Sequence, residues 1–171
     1  ISATIGPRRT ATIAIGDMAD TVAVNKPWVV FATSSTWNGN LGGLNGADAK
    51  CQSAANSAGL LGTFRAWLLS SSTTHISTRF ENASTTAPFA LPNGTKIADN
   101  WTDLVYGSLD AAINRNENGA PASGYVWTNA SATGSRLQNS STYVCDNWAS
   151  NASGRQADAG SSTSTSSSWG Y

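Results

Sequence analysis

Hydrophobic and polar positions change rhythm several times along this chain, and each rhythm predicts an element. Residues 10–15 (Thr-Ala-Thr-Ile-Ala-Ile) alternate small polar with apolar side chains, the period of a strand, and Gly16 and Asp17 stop it. A second short strand is expected over 21–24. Lys26 and Pro27 then break the pattern, which sets 1–25 apart as an N-terminal β arm before a domain over 26–171. The run 28–33 (Trp-Val-Val-Phe-Ala-Thr) is continuously apolar and rich in β-branched residues, as in a buried strand. A further strand is expected over 63–69 (Thr-Phe-Arg-Ala-Trp-Leu-Leu). Between the two, 38–46 is a loop of Asn and Gly. No Lys-Ser/Thr pair follows those glycines to cradle a phosphate, so they make turns. From Ala47 to Ala58 the small residues Ala47, Cys51, Ala54, Ala55 and Ala58 recur at helical spacing, and Gly59 supplies a C-terminal stop.

The second half is patterned more loosely. A short helix or turn is expected over 99–104, an Asn-rich loop over 114–123, strands over 125–128 and 142–145, and a turn around Gly134. The tail over 160–168 is almost entirely Ser and Thr, too polar to order itself, with Trp169 as its one anchor. Mixed strands with one longer helix give an α+β class.

Composition narrows the function classes. The 171 residues carry ten Lys plus Arg against ten Asp plus Glu, only 12% charged in all, so nothing marks a surface for nucleic acid. No stretch approaches the ~20 apolar residues of a membrane-spanning helix. Seven Trp and a 40% hydrophobic content are those of a chain that folds. A start at Ile1 reads as a processed or partial chain. Low charge with abundant Ser, Thr, Asn and Gly points to an extracellular or surface location, and near-zero net charge favours self-association.

Candidate chemistry is sparse. Nucleophilic catalysis would need His75, which sits in a Ser/Thr-rich stretch with no Gly-x-Ser-x-Gly elbow in the chain. Glu81 and Glu117 are the carboxylates a glycosidase would use, although solvated side chains are the commoner fate of such residues. With two Cys and one His, a structural zinc site lacks ligands. The richest constellation is the loop holding Asn114, Asn116, Glu117, Asn118 and Gly119, with Asp110 nearby. It places side-chain oxygens at positions one, three and five and glycine at six, as calcium loops do. Tyr125 stands where an EF-hand has its bidentate Glu, and a metal-free Asn/Gly turn is the commoner outcome. No cofactor is therefore expected. The same amides could bind sugar hydroxyls with Trp127 or Trp101 stacked on a pyranose face. Asn82, Asn93, Asn100, Asn129, Asn139 and Asn151 each begin a glycosylation sequon.

Residues 31–52 (Phe-Ala-Thr-Ser-Ser-Thr-Trp-Asn-Gly-Asn-Leu-Gly-Gly-Leu-Asn-Gly-Ala-Asp-Ala-Lys-Cys-Gln) and 58–68 (Ala-Gly-Leu-Leu-Gly-Thr-Phe-Arg-Ala-Trp-Leu) carry a resemblance, as do Val126-Trp127, Gly134 and the Cys-Asp-Asn-Trp of 145–148. In that order they resemble a family of bacterial surface and secreted domains related to the endostatin domain of collagens. The resemblance implies a C-type-lectin-like fold with mixed strands, a helix bearing the first cysteine and long loops. It brings over neither the zinc histidines nor the heparin-binding arginines of endostatin, nor the calcium-lectin motifs, of which Trp101-Thr102-Asp103 keeps only a part. It also implies a closing cysteine-bearing last strand that this sequence lacks. The arm or a neighbouring chain is the substitute to look for, since an open sheet edge invites strand addition. An even cysteine count would make a Cys51–Cys145 disulfide the default in an exported chain. In the family both positions pair with later cysteines, so two unpaired thiols are expected instead.

These readings converge on a non-enzymatic extracellular module that binds a glycan or a surface protein. The alternatives are a structural subunit of a surface filament or viral fibre joined through its arm, and, third, a glycosidase.

Overall fold

The structure is a computed structural model that describes residues 26–80 and 86–170. It is a small mixed α+β protein, with two small sheets, one long helix and extensive loops among the described residues. The expected strands over 10–15 and 21–24 lie outside the described residues, as does Glu81.

Strand β1 (Trp28–Val29) runs parallel to β2 (Phe89–Ala90), which pairs antiparallel with β3 (Lys96–Ala98) across a turn at Gly94. A second sheet joins β4 (Tyr125–Trp127) antiparallel to β5 (Ala159–Ser161), with Val126 opposite Gly160. Helix α1 (Gly43–Ser57) contains the predicted alanine stripe, of which Ala47 and Ala55 are buried. Gly59 ends it as expected. With φ 71 it donates its N–H to Asn56 O while Leu60 N–H reaches Ala55 O, which caps two of the helix's last carbonyls. Helix α2 (Trp101–Leu104) is one turn, capped by the Asn100 side chain on Asp103 N–H.

Four expectations require correction. The run 28–33 is not a buried strand: only Trp28–Val29 is paired, on one side, and Trp28 remains 38% exposed because β1 is the sheet edge. Residues 63–69 are irregular. The Phe64 and Ala66 N–H groups go to Gln52 Oε1 and Asp48 Oδ1 at 2.8 and 2.9 Å, so side chains of α1 occupy the place of a neighbouring strand. Residues 142–145 turn rather than extend. A short 3₁₀ segment (Ser141–Val144) leads into α3 (Cys145–Trp148), a single left-handed turn whose four φ values run from 48 to 67. The tail is ordered by pairing of β5 with β4, and its anchor Trp169 is buried as anticipated.

Left-handed backbone costs roughly 1–2 kcal/mol per non-glycine residue, so α3 must be held by its contacts. Trp148 is fully buried and gives its indole N–H to Leu69 O at 2.8 Å, while its carbonyl accepts from Leu41 N–H. Asn147 Oδ1 accepts from Ser71 N–H and Asp146 pairs with Arg155. Close approach completes the arrangement: a Cβ on Gly39 would fall 2.2 Å from Cys145 Sγ.

Among the described residues three apolar groups fill the interior, one around Phe89, Ile97, Leu104 and Trp169, a second around Leu41, Ala47, Leu68 and Trp148, and a third of Leu69, Ile76 and Ala130. Trp67 stands beside the first, with its ring 5.2 Å from Trp169 and 5.8 Å from Trp101. Trp101 is thereby a core residue rather than a sugar platform.

Candidate functional site

The loop expected to bind a ligand is closed on itself. Asn116 Oδ1 accepts from the backbone N–H groups of Asn118 and Ala120, both at 3.0 Å, an Asx turn that fixes the loop. Glu117 is turned inward and is only 6% exposed, with Ser34 donating to it from both its backbone N–H and its hydroxyl. Burial pushes the Glu117 carboxyl up, but those two hydrogen bonds outweigh it and hold it below its ordinary value. Asp110 faces elsewhere, ion-paired with Lys96 at 2.8 Å. Lys96 also pairs with Asp99, and the two carboxylates raise the lysine's pKa. Asn114 gives its backbone to Ala112 and Ala122 across the loop. Among the described residues no three His, Cys, Asp or Glu side chains gather as a metal ion requires.

Trp127 lies apart from that loop, in a hollow of about 380 Å³ lined with Gln138, Tyr143, Gln156, Ala157 and Asp158. Four segments build it, one of them the loop that holds Gln138. Strand β4 presents Trp127, the 3₁₀ segment before α3 presents Tyr143, and the stretch leading into β5 presents Gln156 to Asp158. Trp127 is immobilised from two directions. Its indole N–H donates to Trp37 O at 3.0 Å, and its ring packs on the buried Trp148 with 6.0 Å between centroids. It stays 38% exposed and Tyr143 48%, so both rings reach water.

The polar groups of this hollow are not used by the fold. Gln138 and Gln156 are held through their backbones, by Asn129 and by Cys145 and Thr142 respectively, and their side-chain amides have no partner among the described residues. Asp158 accepts Thr128 N–H on its carbonyl, yet its carboxylate Oδ2 is buried without a hydrogen-bond partner. A buried acceptor left unmet costs about 1–3 kcal/mol.

The remaining candidates have structural work. His75 caps a 3₁₀ turn, its Nδ1 accepting from Ser77 N–H while Nε2–H donates to Thr133 O at 3.1 Å. Both ring nitrogens are therefore committed. Cys51 and Cys145 are free thiols, and burial raises the pKa of both, that of Cys51 to about 11. Of the sequons, Asn129 is fully buried and hydrogen-bonded through its side chain to Leu69 and Gln138, so it is no glycan acceptor in the folded protein.

No known family model matches the chain, and no curated protein is significantly similar to it.

Of the residues lining this hollow, sequence reasoning named Trp127 and did not name Tyr143, Gln138, Gln156 or Asp158. The missed residues come from three segments brought together by the β4–β5 pairing and the left-handed turn. The available signal was the Cys-Asp-Asn-Trp of 145–148, whose Asp and Asn tolerate positive φ.

Proposed function

We propose that this protein is a non-enzymatic recognition module of an extracellular or particle surface, binding a glycan in the hollow of Trp127 and Tyr143. The observation that carries the reading is a fixed, half-exposed indole beside two amides and a carboxylate oxygen that the fold leaves unpartnered. A pyranose presents an apolar C–H face and a rim of hydroxyls that both donate and accept. An aromatic ring suits the first, and amides with a carboxylate suit the second. About 380 Å³ is at the small end of ligand pockets, a fit for one or two sugar rings. No cofactor enters this reading. The C-type-lectin-like architecture belongs to the same proposal, supported by a single long helix bearing Cys51, two small sheets, long loops and the Cys-to-Trp turn.

The test is a glycan array with the isolated protein, followed by calorimetry of each hit against the protein and its Trp127→Ala variant. Binding by the original protein and not by the variant is expected. An array without hits, or hits equally strong in the variant, would retire the hollow as a sugar site.

A further inference from the structure

The sheet of β4 and β5 has two unlike faces. On one, Val126 lies opposite Gly160, which is packed so closely that a Cβ there would fall 2.0 Å from Trp169 O. The other carries Tyr125 and Trp127, two residues apart and therefore on the same side of the strand. Their cross-strand neighbours on that face are Ser161 and Ala159, too small to cover a ring. Trp148 backs the Trp127 ring at its end of the strand, while Tyr125 is 84% exposed. The register also fixes the order along the face. Trp127 stands opposite Ala159 and Tyr125 opposite Ser161, so Gln156, Ala157 and Asp158 of the hollow lie beyond Trp127, on the side away from Tyr125. Hollow, indole and phenol follow one another in line, with alternate strand residues roughly 7 Å apart. Tyr125, Trp127, Ala159 and Ser161 carry no charge, and the carboxylate of Asp158 in the hollow disfavours an anionic ligand.

Resting on the reading of the hollow as a sugar site, we infer that its ligand is an extended chain of neutral, β-linked pyranoses, longer than the hollow can hold, with a further ring lying on Tyr125. A monosaccharide or a short chain end fills the hollow and leaves Tyr125 bare. Equatorial links at both ends of each pyranose keep a chain extended, so its rings advance along a straight line as the two platforms do. Axial links coil a chain away from such a line. Each ring offers an apolar C–H face to an aromatic side chain and keeps its hydroxyls at the rim, where water or the Gln138 and Gln156 amides meet them. A tyrosine on a strand supplies that contact area at a low cost in side-chain entropy, having two χ angles to fix.

The experiment is titration calorimetry of the full chain with β-1,4-linked oligomers of glucose, N-acetylglucosamine, mannose and xylose, from one unit to six. In at least one series the tetrasaccharide is expected to bind at least about tenfold more tightly than the disaccharide. In Tyr125→Ala that gain should vanish, the tetrasaccharide binding no better than the disaccharide. Tyr125→Phe keeps the ring and should keep the gain. Affinity that stays level beyond the disaccharide overturns the inference, as does a gain that survives in Tyr125→Ala or is lost in Tyr125→Phe. In each of these cases disaccharide binding that depends on Trp127 leaves the hollow standing as a sugar site. No binding in any series also overturns the inference, and the hollow is then judged by the glycan array alone.

Discussion

The loop over 114–121 and the hollow around Trp127 contain the same kinds of residue, amides and a carboxylate among small polar groups, yet the fold treats them in opposite ways. In the loop, Asn116 and Glu117 are consumed by backbone N–H groups of Asn118, Ala120 and Ser34. In the hollow, Gln138, Gln156 and Asp158 Oδ2 are left without partners beside two exposed rings. Residue type alone marks both as candidate sites; what separates them is that Asn116 and Glu117 are spent on backbone N–H groups, whereas the hollow sets its amides beside two part-exposed rings.

Trp127→Ala should sharpen this contrast most. With the indole gone, sugar affinity is expected to fall roughly a hundredfold, about 2.7 kcal/mol, measured by titration calorimetry with an array hit. Melting temperature should drop as well, because the ring packs on Trp148 and its indole N–H bonds Trp37 O.

Glu117→Gln should do the reverse. It weakens the two Ser34 contacts inside the protein, a loss of about 1–3 kcal/mol of stability in urea titration, with affinity for the same sugar unchanged. Acid reports the same group. Its carboxyl is held below the ordinary value in the folded state. The stability it contributes is complete above the unfolded glutamate pKa of about 4.3 and is lost as pH falls through the lower folded value. The original protein should therefore lose stability faster than Glu117→Gln on acidification below about pH 4. A variant that keeps full stability but loses sugar binding would invert the comparison and restore the loop as the site.

Asn116→Ala removes the Asx turn and should cost about 1 kcal/mol, again without touching affinity, as read by thermal melts and the same calorimetry.

How much of this was legible beforehand follows from which interactions are local. Helix α1 and its end at Gly59 were readable because alanine spacing and a C-terminal glycine act within a few residues. The Asn116 turn was equally local, and its Asn/Gly character was visible even though its meaning was ambiguous. Long-range partners were not readable. Residues 63–69 resemble a strand in every local respect, but the acceptors for Phe64 and Ala66 are Gln52 and Asp48 side chains on α1. Residues 142–145 looked extended by propensity, yet burial of Trp148 and its bond to Leu69 hold a left-handed turn that only Asp146 and Asn147 tolerate by residue type. The hollow inherits this difficulty, since Tyr143 reaches it only because that turn exists.

The smallest expected effect concerns the thiols, and it tests whether the helix and the left-handed turn are as well covered as their packing indicates. Cys51 lies on α1, and burial raises its pKa to about 11, while Cys145 sits against Gly39 with burial raising it too. The thiolate is the reactive form, so both should alkylate slowly with iodoacetamide at pH 8 in the native protein. Two thiols should react promptly once the chain is unfolded without reductant. Linkage fixes the sign of the alkaline effect. The unfolded thiols ionise near 8.5, so folding stability is unaffected below that pH and declines as pH rises from there towards about 11, where Cys51 ionises in the folded state as well. Rapid native labelling of Cys145 would mean that α3 opens readily. Tyr143 would then be a mobile wall of the hollow rather than a fixed one, and the contrast between the two regions would rest on Trp127 alone.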